Sequence, residues 1–535
     1  MNRNDTRKQQ ADIALSCIRY ITILLLMNII GDLGILYFAV AIECYFLLRL
    51  LVIDCVPAFM ARMIRSRMGK GQYKNADKVW KAAVGYGMIS GLLGTVVLFG
   101  FSDMIASKLL HLPEAALAIK IIAPAFFIHA VCAVLKGLFQ GLGSNISSVM
   151  AGLFSEIFGL CFIMLFSKIL FTYGEKAAAL LQNHKFASMY GAAGAAIGIP
   201  LSVLLALAFL CLMYFGAGRK LLRKKKEGMR LTEDGIEVLK LLLVSSLPVA
   251  VTAFFLRLPI LSSIGIYAKH NTLDMNTLSV CGGLYGSVLC ITGILSAVAM
   301  LLCCSCENTV IHAIKHEEYK TAKSYLAGGI QGLFMFGAFG TVICLVCAPG
   351  LADLFFKQIA TDTIVTAMQI AAPLVLLIPL SVYLSHILIG IGRKYTAMAG
   401  AAVSYCISLL VLIVATKSHS ANINTILFAF WAFAIAFCLW NGGFLLWMMR
   451  FNLPWLISIG LPVLCAGITG LVLYLLDKAI GKQIGAIPFF IIALLAGGFI
   501  YLILLFVLRC IRKKELYTLP GGRILGKIGN MLHLL

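Results

Sequence analysis

Fourteen stretches of this 535-residue chain are apolar over a length that crosses a bilayer, and that property leaves few folds open. They fall near residues 12–30, 36–58, 79–101, 116–139, 147–169, 190–215, 241–266, 279–303, 324–347, 364–389, 397–416, 424–448, 455–476 and 486–508. A helix of about 20 apolar residues matches a hydrocarbon core ~30 Å thick. Each run is continuously apolar, which excludes the shorter, alternating strands of a β-barrel. The expected fold is an all-α polytopic membrane protein of about 14 transmembrane helices. With 61% hydrophobic and 12% charged residues, no sizeable soluble domain is left over. Residues 1–11 are charged, and Gly31-Asp32-Leu33-Gly34 after the first run is no small-residue cleavage site, so the first helix is expected to stay as an anchor.

The formal charge of +22 is uneven along the chain. Lys and Arg concentrate at Arg62 to Lys81, at Arg219 to Lys240 and in the tail after Arg509, all on one side of an alternating fourteen-helix path. The positive-inside pattern puts both termini in the cytoplasm of a multi-pass cell-membrane protein. The cluster Arg223-Lys224-Lys225-Lys226 then sets orientation or meets anionic membrane lipids, with no nucleic acid as partner. Most of the 17 cysteines lie in apolar runs, where they act as small apolar residues. Cys303-Cys304-Ser305-Cys306 with His312 and His316 is the one arrangement with metal-like spacing. Glu307, Lys315, Glu317 and Glu318 beside it read as a solvated connector, and neither a metal nor a cofactor is expected.

An internal echo constrains the architecture further. Ala123-Pro124 and Gly141-Leu142-Gly143 bracket the fourth span as Ala372-Pro373 and Gly390-Ile391-Gly392 bracket the tenth. Tyr73-Lys74-Asn75-Ala76 recurs as Tyr319-Lys320-Thr321-Ala322. Both echoes shift the pattern by six helices, and an even shift preserves orientation, so two parallel six-helix pseudo-symmetric lobes are expected, with two extra C-terminal helices. The predicted division is 1–218 for the first lobe, 219–240 for a basic cytoplasmic linker and 241–450 for the second lobe. Residues 451–508 form the last two spans and 509–535 a basic tail. Two such lobes make an alternating-access cavity, with substrate near the midplane.

Charge inside the spans marks candidate function, because an ionised group at the bilayer centre is disfavoured by ~2.5–3.5 kcal/mol on insertion scales. Arg19, Arg49 and Arg257 are the candidate substrate-binding residues, since a guanidinium fork matches phosphate or pyrophosphate. Pairing of Arg49 with Glu43 or Asp54 to lock helix packing is the structural alternative. Asp32, Glu43, Asp54 and Glu156 are ion-coupling candidates for a proton or sodium ion. Glu43 and Asp54 fall nearly on one face of a helix, with Arg49 turned away from both. Pro248 and Pro259 flank Arg257 and are the hinge candidates, Pro373 and Pro379 a second pair. His129 and His386 read as packed, hydrogen-bonded histidines. The Gly-Lys pairs at Gly69, Gly481 and Gly526 lack P-loop spacing, and no hydrolase motif occurs, so no catalytic residues are proposed and the chain is not expected to be an enzyme.

Several of these segments resemble a known family. They are Val56-Pro57-Ala58 with Gly71-Gln72-Tyr73-Lys74-Asn75-Ala76, Leu138-Phe139-Gln140-Gly141-Leu142-Gly143, Tyr190-Gly191-Ala192-Ala193-Gly194-Ala195-Ala196 and Ser246-Leu247-Pro248. Their order over nearly the whole chain is similar to the polysaccharide and lipid flippases of the MATE-like MOP superfamily, in particular the sporulation and lipid II flippase branch. The resemblance implies a fourteen-helix flippase, with cavity arginines for a lipid-linked pyrophosphate and a polyprenyl groove on the last two helices. Ser305-Cys306-Glu307-Asn308 and Ile389-Gly390-Ile391-Gly392 depart from the family pattern and suggest a divergent member. The expected function is flipping a lipid-linked pyrophosphate sugar, a cell-wall or polysaccharide precursor on undecaprenyl pyrophosphate. A cation or drug antiporter of the same superfamily is the alternative, and a membrane-embedded glycan polymerase or a scaffold a third.

Overall fold

Gly31 breaks the helix between the first two predicted spans, as a kink with no inserted loop. In the computed structural model, which describes residues 3–183, 185–218, 233–271, 275–355, 361–418, 423–481, 485–511 and 526, the first helix, α1, runs Arg3–Val52. Within it Gly31 alone departs from helical geometry (φ 67, ψ 179), a backbone that glycine reaches at little steric cost. The first predicted span thus lies before the kink in α1, and most of the second lies after it. After a turn, α2 (Val56–Gly69) starts with Pro57 in its first turn, where a missing N–H costs nothing.

The other long helices are α3 (Tyr73–Gly100), α4 (Pro124–Gly141), α5 (Ile146–Leu181), α6 (Lys185–Met213), α7 (Gly235–His270), α8 (Leu289–Lys315), α9 (Tyr319–Val346), α10 (Leu374–Gly390), α11 (Lys394–Ser418), α12 (Ile423–Met449), α13 (Leu461–Leu476) and α14 (Ala486–Val507). Thirteen helical runs among the described residues are long and apolar enough to cross a membrane, the first being Thr6–Gly69 with two predicted spans in it. No strand occurs among the described residues, so the protein is the expected all-α polytopic type. The cluster Arg223-Lys224-Lys225-Lys226, most of the basic linker and nearly all of the tail lie outside the described residues.

The chain divides into two compact units, Met1–Tyr20 with Gly283–Leu535, and Ile21–Gly282. Each contains one copy of the sequence echo, and the copies agree bond by bond. Tyr73–Gly100 and Tyr319–Val346 are each 28 residues long. The residue two before each start is left-handed, Gly71 at φ 72 and Glu317 at φ 62, and its carbonyl accepts the Tyr73 or Tyr319 N–H at 3.0 Å in both copies. Thr95 donates to the Ala123 carbonyl at 3.2 Å, and Thr341 to Ala372 at 3.3 Å. At the far ends of α4 and α10, Gly143 (φ 95) and Gly392 (φ 96) take the same turn. The Ser144 and Arg393 N–H groups return to Phe139 and Leu388 at 2.9 Å each.

Close helix packing follows the small residues. Cβ atoms added at Gly194 and Gly198 of α6 would sit 2.4 Å from the Phe166 carbonyl oxygen and 2.6 Å from the Ile163 nitrogen of α5, so the two backbones touch. The connection between α5 and α6 is correspondingly short. Helix α5 continues to Leu181 and turns at left-handed Gln182 (φ 50), with Glu175 still helical. The faces of α3 and α5 away from these contacts expose Ile89, Leu92, Leu93 and Val96, and Ile157, Leu165 and Ile169, as lipid-facing helices do. Helices α13 and α14 pack on α9 around Val342, Ile343, Leu473, Tyr501 and Leu505. The Tyr501 hydroxyl donates to the Met335 carbonyl at 2.8 Å.

Candidate functional site

The end of α1 decides the position of two candidate residues. The helix stops at Val52, and the Ile53 and Asp54 N–H groups both return to the Arg49 carbonyl at 2.8 and 3.0 Å. Asp54 therefore lies in the turn and not on a helix face with Glu43, which corrects the face argument made from the sequence. The same turn brings the Asp54 carboxylate back to its neighbour, where Arg49 Nε donates to Oδ2 at 3.0 Å. Tyr86 of α3 closes the helix end by donating to the Val52 carbonyl at 2.9 Å.

Arg257 of α7 reaches Glu43 of α1 in a two-point fork, Nε to Oε2 at 2.8 Å and Nη2 to Oε1 at 2.7 Å. The Glu43 side chain is 8% exposed and that of Arg257 29%. Both guanidiniums lie over one ring, since Arg49 Cζ is 4.6 Å and Arg257 Cζ 4.8 Å from the centroid of Phe46. Cations over an aromatic face gain about 0.5–2 kcal/mol each. Helix α4 adds His129, whose Nε2 is 3.6 Å from Asp54 Oδ1. The result is two guanidiniums and two carboxylates gathered around Phe46 within the unit Ile21–Gly282.

Of the sequence candidates, Arg49, Arg257, Glu43 and Asp54 are brought together here. Arg19 lies half-buried on α1 within the other unit. Asp32, next to the bend at Gly31, accepts from Ser279 Oγ at 3.4 Å. Glu156 is half-buried on α5. Pro248 and Pro259 both lie inside α7, which continues through them. Thr252 Oγ1 bonds to the Pro248 carbonyl at 2.7 Å, and Ser262 to that of Pro259 at 3.2 Å.

A second polar cluster was not anticipated. Glu307, read from the sequence as part of a solvated connector, is 3% exposed on α8, which continues to Lys315. Gln9 Nε2 of α1 donates to both of its oxygens at 3.1 Å, and His386 Nδ1 of α10 lies 3.5 Å from Oε1. Asn308 Nδ2 donates to Gln9 Oε1 at 2.9 Å and Thr6 Oγ1 at 3.2 Å. The signal was present in the sequence: Met300, Cys303, Cys304, Glu307 and Ile311 recur at three- and four-residue steps, one helix face, and that face is buried. Cys303, Cys304 and Cys306 are buried with it. Among the described residues, no group of three or more His, Cys, Asp or Glu is placed to hold a metal ion.

No protein-family model matches the chain. Stage V sporulation protein B of Bacillus subtilis (strain 168) is 19% identical over 517 residues, 95% of each chain. Among solved structures, an inward-facing multidrug resistance MATE family transporter of the MOP superfamily superposes with a TM-score of 0.60 at 16% identity, over 82% of this chain and 98% of that one. Lipid II flippase MurJ in an inward closed conformation gives 0.59 at 14% identity, over 94% and 98%. The fold is that of the MOP superfamily transporters. A further member of that superfamily, from Pyrococcus furiosus and described as having a binding pocket of reversed polarity, gives 0.52 at 15% identity over 83% and 94%. These neighbours are transporters and flippases, and 13 helical runs among the described residues of this chain are long and apolar enough to cross a membrane.

Proposed function

We propose that this protein flips a lipid-linked oligosaccharide, a cell-wall or polysaccharide precursor on undecaprenyl pyrophosphate, across the cell membrane by alternating access. The observation that carries the reading is the pair of guanidiniums over Phe46, each held by a carboxylate. A carboxylate gripped at two points by arginine occupies the geometry that a phosphate oxygen pair takes. In this reading the pyrophosphate takes Arg49 and Arg257 from Asp54 and Glu43. The released carboxylates carry a coupling proton or sodium ion, with Asp32 and Glu156 as further candidates. Arg19, charged inside the first span, is a further candidate for binding an anionic group. Pro248 and Pro259 let α7 bend as Arg257 changes partner.

The prenyl tail stays in lipid throughout, because drawing it into water costs about 0.8 kcal/mol per CH₂; α13 and α14 would guide it. Both termini are cytoplasmic in this reading, from the distribution of Lys and Arg. A cation or drug antiporter of the same superfamily is the second reading. It is favoured by one observation, that Glu43 and Asp54 bring as many negative charges to the cluster as the arginines bring positive ones. Binding of a fluorescent undecaprenyl-pyrophosphate sugar to the purified protein separates them. The flippase reading expects affinity to drop about 10- to 100-fold in Arg257→Gln, as for loss of a charged hydrogen-bond pair. Tight binding of an organic cation with no affinity for the lipid would overturn it.

A further inference from the structure

The metal-like spacing at the end of α8 divides in the structure. Cys303, Cys304 and Cys306 are buried, whereas His312 in the last turn and His316 just after it are both exposed. The two rings lie together, with centroids 4.3 Å apart and planes tilted by 38°. Two imidazoles held side by side on one ion, each by a bond of about 2.1 Å, have centroids roughly 4.5 Å apart. The pair stands near that spacing, and rotation of two exposed rings is all that remains to aim a nitrogen of each at one point. Among the described residues neither ring is taken by a hydrogen bond or by a carboxylate at ion-pair distance. The helix end adds its own preference, since its last carbonyls carry partial negative charge and favour a cation. Lys315 opposes a cation at His312, and Glu318 favours one.

The other copy of the repeat shows what this turn needs for folding. In the register that aligns Tyr73 with Tyr319, His312, His316 and Glu318 correspond to Ser66, Lys70 and Gln72, which offer no such set of ligands. The turn is nevertheless the same. Gly71 and Glu317 are both left-handed, and each accepts the N–H of the following tyrosine at 3.0 Å. The two histidines are therefore not what makes the chain turn here, and replacing them leaves a segment whose repeat partner already folds without them.

We infer that His312 and His316 chelate a divalent first-row transition-metal ion, for which neutral imidazole is a fitting ligand. The pair at i, i+4 on one helix face is the geometry by which two histidines hold zinc in metalloproteases. Among the described residues no third His, Cys, Asp or Glu is in place, so water fills the remaining positions. The inference is independent of what the protein transports. Its test is equilibrium dialysis of Ni²⁺ against the purified full chain, freed of any affinity tag and kept reduced, at about pH 7.5, where imidazole is mostly neutral. Loss of a ligand costs no less than loss of a group that only orients one, about 10- to 100-fold. His312→Ser and His316→Ala are therefore each expected to weaken binding at least about tenfold. His270, exposed and bonded to the Ile266 carbonyl at 2.9 Å, is the control, and His270→Ala is expected to leave binding unchanged. Co²⁺ in place of Ni²⁺ is expected to show no thiolate charge-transfer absorption, which the cysteines would produce. No binding by the wild type overturns the chelate, as does loss in only one histidine variant or a thiolate band. Equal binding by the wild type and both variants means an adventitious ion only, and overturns it as well.

Discussion

Cutting one side of the Glu43–Arg257 fork leaves the other side badly placed, and the two halves differ in a way the burial predicts. Arg257→Ala strands a carboxylate that is 8% exposed. An uncompensated buried charge of that kind costs about 3–5 kcal/mol. Glu43→Gln strands a guanidinium that is 29% exposed and still rests over Phe46, so a loss nearer 1–3 kcal/mol is expected. The double variant Glu43→Gln with Arg257→Ala leaves neither charge of the pair and should lose less than the sum, with a coupling of at least about 1.5 kcal/mol. Denaturant unfolding of the four purified proteins in one detergent, followed by tryptophan emission, gives the cycle. Additivity to within ~0.5 kcal/mol would show that the fork does not form and would refute the reasoning. So would equal losses for the two single variants.

Other expectations are quick to check. Gly194→Leu drives a side chain into the α5 backbone, where even a Cβ would stand 2.4 Å from the Phe166 oxygen, and should cost about 3 kcal/mol or more or prevent accumulation in the membrane. Glu317→Gly places at a left-handed position (φ 62) the residue found at its repeat partner Gly71, and should stabilise by up to about 1 kcal/mol in thermal unfolding. The converse change, Gly71→Ala at φ 72, should destabilise by about 1 kcal/mol. Arg257→Lys keeps the charge but loses the fork, so binding of a pyrophosphate lipid should weaken about tenfold, while Arg257→Ala weakens it further.

Helical class and the paired turns of the internal echo were legible because continuous apolar length and turn residues are properties of short segments. The echo of Ala123-Pro124 and Gly143 in Ala372-Pro373 and Gly392 marked turns whose hydrogen bonds match in the two copies. Helix ends were less legible. Gly31-Asp32-Leu33-Gly34 reads as a break between spans, and the break is there, as a kink at Gly31 without an inserted loop. The run from Glu307 to Lys315 reads as a connector by composition, although its buried face continues the period of Met300, Cys303 and Cys304. Charge pairing was legible in part, since an Arg49–Asp54 pair was one alternative read from the sequence and it forms, whereas Glu43–Arg257 was not foreseen. Glu43 and Arg257 lie on helices far apart in sequence, and Arg49 meets Asp54 only because α1 ends between them. Composition locates buried charges, but helix rotation and helix ends choose their partners.

The most direct measurement of the central claim is translocation of a fluorescent undecaprenyl-pyrophosphate sugar in proteoliposomes, read by quenching from one side, for the wild type, Arg49→Ala and Arg257→Ala. The account predicts transfer by the wild type and at least about tenfold slower transfer by each variant that remains folded. A wild type that moves no such lipid but exchanges an organic cation for protons or sodium would contradict it, and would leave the two arginines as partners of Asp54 and Glu43 alone.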